Sequence, residues 1–299
     1  MQPQQWLSSG QYFSYQNHRL FYIDSDPNNL QKPILLMVHG FPTSSYDWHK
    51  VWPQLTENFR CIAMDMLGFG YSDKPKQHRY SIHEQADLQE ELLHRLEITS
   101  LHLLAHDYGD TVAQELLARD NSREKKLIRS TCLLNGGLFP ETHKARPIQK
   151  LLISPIGPLI NLLVNYRQFC RSFKVLFGPA TKPIETELRE LWQIIQYNGG
   201  KYRFHKLINY MQERLKYRQR WLDALNQYPG PLQLINGSYD PVSGAHMVAR
   251  FRELIERPAG IVELAKVGHY PQWEAPDLLA STYLGFIENH SKKVAPISL

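Results

Sequence analysis

Two hydrophobic periodicities alternate along most of this chain of 299 residues. Short apolar runs, typical of buried strands, are followed by segments with apolar residues at helical spacing. Tyr12 to Ile23 alternates instead, which predicts an antiparallel hairpin turning near Asn17-His18. Further strands are predicted at 33–38, 59–64, 101–106, 130–134, 231–235 and 261–267, and helices within 43–55, at 81–96, after residue 107, at about 242–256 and from Pro276. This order implies an α/β fold with a mostly parallel, doubly wound sheet.

The alternation of strands and helices stops between about residues 139 and 228. This stretch has no strand-like run and consists of helical segments rich in Tyr, Arg and Lys. We interpret residues 139–228 as a helical cap inserted into a core domain that residues 1–138 and 229–299 form. The most apolar stretch, Ile148 to Tyr166, contains two prolines and a glycine, so we do not expect it to cross a membrane.

Composition narrows the functional classes only slightly. A formal net charge of +5 gives little support for nucleic-acid binding. Cys61, Cys132 and Cys170 lie far apart without zinc-binding spacing, which indicates thiols in a reducing compartment. The N-terminus does not have the pattern of a signal peptide, so we expect a cytoplasmic protein. The basic segment Lys201–Arg220 is interpreted as a solvated helix face, with peripheral contact to an anionic membrane as the alternative.

One stretch joins a strand to a helix with almost no loop between them. The apolar run that ends at His106 meets the helix directly at Asp107-Tyr108-Gly109. Such a turn is strained and exposes one side chain at the end of the sheet, beside the N-terminus of the helix. In the pattern Gly-x-Ser-x-Gly this side chain is serine, whereas the corresponding residues here are Ala105-His106-Asp107-Tyr108-Gly109. The exposed group is therefore the carboxylate of Asp107.

Other polar residues also follow predicted strands directly. Asp240 and His269 each do so, and so does the motif His39-Gly40-Phe41-Pro42. In an open α/β sheet, ligands bind beyond the carboxyl ends of the strands, so we expect these side chains to lie together. The sequence thus predicts a nucleophile, an acid and a histidine in that chain order.

The nucleophile determines the predicted chemistry. Asp107 is ionised near neutral pH and needs no base, so His269 is assigned to deprotonating water in a second step. Asp240 orients the imidazole and stabilises its cation. In this scheme Asp107 attacks an electrophilic carbon to form a covalent ester, and water then hydrolyses the ester. The backbone N–H groups of Phe41 and Tyr108 hold the oxyanion that forms during hydrolysis. The scheme uses water, but no metal and no cofactor.

The same argument selects the substrate class. Attack of a carboxylate on a carboxylic ester would give an anhydride, which is a poor route and disfavours a serine-type esterase. The predicted substrate is a small, apolar alkylating molecule, either an epoxide or an alkyl halide. A hydrolase fold that binds a ligand or a partner without turnover is the alternative from another class. The complete triad argues against it, because binding needs no aligned nucleophile, base and acid. The oligomeric state stays open.

These motifs resemble the α/β-hydrolase superfamily, and within it the branch of epoxide hydrolases and haloalkane dehalogenases that use an aspartate nucleophile. The matching residues are His39–Pro42, Asp65–Pro75, His106–Gly109, Asp240 and Gly268-His269. The chain also resembles the mesoderm-specific transcript protein group through His106–Leu117, Asn135–Thr142, Asn209–Arg214 and Arg220-Trp221. This second resemblance extends into the cap and implies the fold and the branch, but not a reaction.

Two departures from the dehalogenase pattern help to choose within the branch. Dehalogenases usually have Trp directly after the nucleophile, and many have Asn after His-Gly, whereas this chain has Tyr108 and Phe41. Trp192 and Trp221 of the cap are the candidates for a replacement halide donor. The departures favour an epoxide hydrolase and leave a haloalkane dehalogenase as the alternative.

The resemblance to epoxide hydrolases also implies cap tyrosines that hydrogen-bond the epoxide oxygen and protonate it. Tyr210 is the candidate for one of them and Tyr166 for the other. Asp110, which stands where a small residue is usual, is a further departure. It either raises the pKa of Asp107 by like-charge repulsion or only occupies a favourable position in the first helical turn.

Overall fold

The computed structural model describes residues 1–29, 31–258 and 260–291. The strands in these ranges are β1 (Gln11–Tyr15), β2 (His18–Asp24), β3 (Ile34–Val38), β4 (Arg60–Met64), β5 (Leu101–His106), β6 (Ile128–Leu134), β7 (Leu232–Gly237) and β8 (Gly260–Leu264). They form one sheet in the order β1-β2-β4-β3-β5-β6-β7-β8. β2 pairs antiparallel with β1 and β4, and all other neighbours are parallel. The predicted α/β fold class is confirmed.

Helices surround this sheet, and β3, β4, β5, β6 and β7 are almost entirely buried. Such burial explains why their sequences read as continuous apolar runs. The helices are α1 (Pro3–Ser9), α2 (Trp52–Asn58), α3 (Ile82–Arg95), α4 (Tyr108–Asp120), α5 (Pro147–Ile153), α6 (Gly157–Leu163), α7 (Tyr166–Lys174), α8 (Glu185–Gln196), α9 (Phe204–Leu207), α10 (Tyr210–Lys216), α11 (Arg218–Gln227), α12 (Ala245–Leu254), α13 (Pro271–Glu274) and α14 (Pro276–Ser291).

The first helix, α1, was not predicted from the sequence. It is short, and its one buried side chain is Trp6, whose indole N–H donates to Ser45 Oγ at 3.1 Å. The ring also packs edge-on against Trp52, with 4.9 Å between centroids. A single anchoring residue creates no periodicity, so this helix is specified by its tertiary contact.

The cysteines agree with the interpretation as free thiols. Cys61 lies in β4 and Cys132 in β6, both buried, and Cys170 is half-buried in α7. Burial raises the pKa of the thiols of Cys61 and Cys132, so both stay protonated and unreactive at neutral pH.

Between β6 and β7 the structure contains helices, α5 to α11, together with 3-10 turns. The predicted cap bounds at 139 and 228 stay a prediction, and residues 292–299 of the predicted core domain lie outside the described residues. Ile148–Tyr166 is divided between α5, α6 and the start of α7. In the described part of the chain, no helix has the length and apolar character needed to cross a membrane.

Candidate active site

The junction of β5 and α4 presents Asp107 in a strained conformation. Its φ of 50° and ψ of −105° lie in a region that non-glycine residues rarely adopt. Gly109, two residues later, packs so close to β3 that a Cβ atom there would overlap the carbonyl oxygen of Val38. This close approach of α4 to the strand forces the sharp turn. Ala105 takes the position of the usual first glycine and is fully buried in β5.

The carboxylate of Asp107 is only 4% exposed and meets three different groups. Its Oδ2 accepts a hydrogen bond from the backbone N–H of Phe41 at 3.0 Å. Its Oδ1 lies 3.9 Å from His269 Nε2 and 3.9 Å from Arg214 Nη2. Both of these distances are too long for a direct hydrogen bond. The two carboxylate oxygens therefore have different surroundings, one held by an amide and the other facing the imidazole.

Asp240 fixes the orientation of the imidazole of His269. His269 Nδ1 and Asp240 Oδ2 are 2.7 Å apart. The same carboxylate accepts hydrogen bonds from Asn135 Nδ2 at 2.9 Å and from the backbone N–H of Val242 at 2.7 Å. With Nδ1 bound to the acid, Nε2 is the ring nitrogen that faces Asp107. Asn135 follows a predicted strand directly, and only the structure shows its contact to the acid.

The charges around His269 favour its protonated form. Burial alone would lower the pKa of His269, but the charge and hydrogen bond of Asp240, with the charge of Asp107, outweigh burial and raise that pKa to about 9. Burial similarly opposes ionisation of Asp240, yet His269 and the hydrogen bonds keep its pKa below the ordinary value. At neutral pH the imidazole of His269 is therefore protonated beside the Asp240 carboxylate.

Two further histidines of the predicted motifs, His106 and His39, make contacts with backbone groups around the site. His106 Nε2 lies 2.8 Å from the backbone oxygen of His269. Burial and the nearby His269 lower the pKa of His106 to about 3, so its ring is neutral. His39 Nε2 accepts from the backbone N–H of Met66 at 3.1 Å, and its Nδ1 lies 2.9 Å from the oxygen of Gly40. These contacts position the loop that carries Phe41.

Asp110 lies buried in the first turn of α4, with its Oδ1 near the backbone N–H of Leu134. Burial, with a contribution from the negative charge of Asp107, raises the pKa of Asp110 well above its ordinary value. Asp110 therefore takes up a proton more readily than an ordinary aspartate does.

Arg214 of α10 lies in the segment Asn209–Arg214, which resembles the mesoderm-specific transcript group, and the sequence predicted no role for it. Its guanidinium is buried, with Nε donating to Thr111 Oγ1 at 2.8 Å and Nη2 to the backbone oxygen of Asp107 at 3.1 Å. Nη1 and both ring nitrogens of nearby His143 are buried and have no hydrogen-bond partner among the described residues. Burial and the charge of Arg214 lower the pKa of His143 to about 4. The cap thus contributes one cation and a neutral imidazole beside the nucleophile.

The structure places Tyr210 at the site as well. This tyrosine is buried, with its ring 5.0 Å from that of Tyr108 and 6.0 Å from that of Phe41. Arg214 lies over its face at 4.5 Å. Burial raises the pKa of Tyr210, and the negative charge of Asp107 raises it further. Its hydroxyl therefore keeps its proton and lies within electrostatic reach of the nucleophile.

Three other cap aromatics are not at the site, which corrects the sequence expectation. Tyr166 begins α7 and its hydroxyl donates to Glu185 at 2.8 Å, in exposed surroundings. Trp192 packs against Phe169, with 5.2 Å between centroids. The indole N–H of Trp221 donates to Glu115 at 3.0 Å. These side chains stabilise contacts between helices, because the apolar sides of α7, α8 and α11 pack on their neighbours.

A cavity of about 510 Å³ lies over the nucleophile. Asp107 and His269 form part of its inner wall, together with Phe41 and Pro42. Most of its lining is apolar and comes from the segment between Arg146 and Leu176. The cavity has the size and character of a site for a small apolar molecule.

Residues 33–276 match the family model described as alpha/beta hydrolase fold. The sheet, the sharp turn at Asp107 and the order of the triad residues define a hydrolase of this class, and the chain belongs to the α/β-hydrolase family. It is 44% identical over 292 residues to the mesoderm-specific transcript homolog protein of Bos taurus, covering 95% of this chain and 87% of that protein. The resemblances to the α/β-hydrolase superfamily and to the mesoderm-specific transcript group are confirmed.

Two more distant similarities concern enzymes. The crystal structure of haloalkane dehalogenase DbeA from Bradyrhizobium elkani superposes with a TM-score of 0.81 at 22% identity, over 95% of this chain and 99% of that one. This similarity shows the fold alone. Epoxide hydrolase 1 of Caenorhabditis elegans is 30% identical over 118 residues, which are 39% of this chain and 29% of that protein.

Proposed function

We propose that this hydrolase opens epoxides to diols through an alkyl ester on Asp107. The observation that carries the proposal is the asymmetry of the Asp107 carboxylate. Oδ2 is held by the amide of Phe41, whereas Oδ1 faces His269 across 3.9 Å without a hydrogen bond. A nucleophile that a histidine must activate needs a direct hydrogen bond to it, and an ionised carboxylate does not.

In the first step, Oδ1 attacks an epoxide carbon and the ring C–O bond breaks. The electron pair of that bond goes to the ring oxygen, which takes the proton of the Tyr210 hydroxyl. The raised pKa of Tyr210 keeps this proton available at neutral pH. The product of the step is an ester in which Oδ2 is the carbonyl oxygen, still accepting from the N–H of Phe41.

In the second step, water adds to the carbonyl carbon of this ester. Alkylation removes the negative charge of Asp107, which is one cause of the raised pKa of His269, so this pKa falls and the imidazolium gives its Nε2 proton to the Tyr210 phenolate. Nε2 then takes a proton from a water molecule, and the hydroxide attacks the carbonyl carbon. The N–H groups of Phe41 and Tyr108 stabilise the oxyanion. Collapse breaks the bond to the alkyl oxygen, which takes the proton of His269 as the diol leaves, and the carboxylic acid of Asp107 then returns a proton to the imidazole.

The positions of the cap tryptophans favour this reaction over dehalogenation. A halide leaving group needs N–H donors beside the attacked carbon, and neither Trp192 nor Trp221 supplies one there. An epoxide needs a proton donor, and buried Tyr210 lies 5.0 Å from the ring of Tyr108 and 6.0 Å from that of Phe41, which lines the cavity. Turnover through a covalent ester is also what separates an enzyme from a binding protein with the same fold.

Mass spectrometry of His269→Gln tests the proposal. Without the base the ester should accumulate, so incubation with a panel of epoxides and haloalkanes should add the mass of one epoxide to the peptide that contains Asp107. The double variant Asp107→Asn/His269→Gln is the control and should gain no mass. Adducts from haloalkanes only would replace the epoxide with the halide as substrate, and no adduct from any electrophile would overturn the mechanism.

A further inference from the structure

Large apolar side chains lie exposed on α5 and α6 and at the ends of α6 and α7. The exposed side chains, which we call the cap face, are Leu151, Ile156, Leu159, Leu162, Leu163 and Val175. The three leucines of α6 are the most exposed, at 60% to 66%. Gly157 and Asn161 of the same helix are buried. Single exposed leucines are ordinary, but a row of them along one helix marks a surface that binds a partner.

The chain that carries the cap face has charge of one sign only. Residues 144–184 contain seven Lys and Arg residues and no Asp or Glu. None of these seven cations forms an ion pair with another described residue. Lys150 and Arg167, which flank the exposed leucines in sequence, are themselves exposed. Leucines surrounded by unpaired cations suit the surface of an anionic bilayer, where the leucines enter the acyl boundary and the cations meet the phosphates.

The basic segment Lys201–Arg220, for which contact to an anionic membrane was the alternative prediction, binds other groups of the protein instead. Most of its cations hold the cap to itself and to the core. Lys201 donates to the backbone oxygen of Val164, Arg203 to that of Lys74, and Lys206 to that of Lys76. Arg214 donates to the backbone oxygen of Asp107. Arg218 forms an ion pair with Glu141, and Arg220 forms one with Glu115. Except for Lys216, the cations of this segment are therefore not a free solvated face, and the seven cations of residues 144–184 are the larger group without an acidic partner among the described residues.

The cap face continues into the cavity over Asp107. Val175 belongs to both, and its exposed neighbours Arg171 and Ser172 also line the cavity. We propose that the cap face docks on the surface of an anionic phospholipid bilayer, with the outer end of the cavity against the membrane. An apolar electrophile dissolved in the lipid then enters the cavity without crossing water. The docking goes beyond the proposed reaction, and only this delivery of substrate rests on it.

Vesicle co-sedimentation of the full chain tests the docking. The probes are vesicles of phosphatidylcholine alone and vesicles that also contain phosphatidylserine. We expect binding to the anionic vesicles and a partition coefficient that falls roughly tenfold or more in Leu159→Ser/Leu162→Ser. Lys150→Gln/Arg167→Gln should reduce binding by roughly tenfold or more and weaken its dependence on phosphatidylserine. The control Leu215→Ser/Leu278→Ser changes two exposed leucines elsewhere and should bind as the unchanged protein does.

Several outcomes would overturn the docking. One is the absence of sedimentation with either vesicle, and another is equal loss in the control pair. A third is self-association that depends on Leu159 and Leu162, seen by light scattering without vesicle binding, because it would assign the cap face to a second copy of the chain. The assay needs no turnover, so Asp107→Asn should bind vesicles normally. Failure of the docking and failure of the epoxide reaction are therefore separate results.

Discussion

Arg214 donates a hydrogen bond from Nη2 to the backbone oxygen of Asp107 across 3.1 Å. This contact joins the cap helix α10 to the strained turn at Asp107, and the same guanidinium also donates to Thr111 of α4. Arg214 of the cap thereby holds the turn that presents the nucleophile Asp107. The proposed reaction thus depends on the seating of the cap as well as on the sheet.

Arg214→Gln should slow ester formation more than it weakens substrate binding. The shorter neutral side chain cannot hold the carbonyl oxygen of Asp107 or balance its charge, so kcat should fall by roughly ten- to a hundredfold with a small change in KM. Single-turnover kinetics measure the effect, and Arg214→Lys should restore part of the rate. Arg218→Gln, on the exposed pair with Glu141, is the matched control. Equal losses in both variants would indicate a purely structural role.

Tyr210→Phe should separate the two substrate classes. Loss of the phenolic proton should slow epoxide opening by roughly a hundredfold, within the range of general acid catalysis, and leave any reaction with haloalkanes almost unchanged. The rate of diol formation measures the effect. Tyr166→Phe makes the same chemical change at the Glu185 contact and should keep the full rate. A normal epoxide rate in Tyr210→Phe would remove this residue as the proton donor.

The raised pKa of His269 predicts how stability depends on pH. Because the folded-state pKa is about 9 and the ordinary value is 6.5, the contribution of His269 is fully present below pH 6.5. It is lost as the pH rises from there through about 9. Thermal unfolding of the wild type and His269→Gln should therefore converge over this interval, by on the order of 1–3 kcal/mol. Parallel curves for the wild type and His269→Gln would refute the shift.

Gly109→Ala should destabilise the fold by about 1–3 kcal/mol or more, because the added methyl group overlaps the backbone of β3. Denaturant unfolding measures the change. Gly285→Ala in α14 provides the comparison, since nothing lies within 4 Å of its added Cβ. It should be neutral or stabilise by up to about 1 kcal/mol. A fully stable Gly109→Ala would mean that the turn relaxes without cost.

The sheet and the reactive residues at its edge were accessible from the sequence. A buried strand is a continuous apolar run, and the residue after it lies at the edge where ligands bind, so local pattern and position along the chain suffice. Asp107, Asp240 and His269 were identified in this way. The structure brings them within 2.7 to 3.9 Å of their neighbours in the triad.

The cap shows the limit of the same reasoning. The resemblance to epoxide hydrolases implied both Tyr210 and Tyr166, yet one is buried beside Tyr108 and the other binds Glu185 near the surface. Trp221 meets Glu115, and the role of Arg214 was not foreseen. Periodicity identifies the apolar side of a helix, but it does not say which element will cover that side.

Local sequence pattern was enough to predict the α/β sheet, the aspartate at its sharp turn and the order of acid and histidine. These features depend on residues close together in the chain, whose backbone geometry and alternation of burial follow from local chemistry. The three-dimensional packing was needed to show which cap side chains surround the nucleophile, how the two oxygens of Asp107 differ, and where the leucines of α6 remain exposed. Those outcomes depend on packing between distant segments, which the linear pattern does not encode.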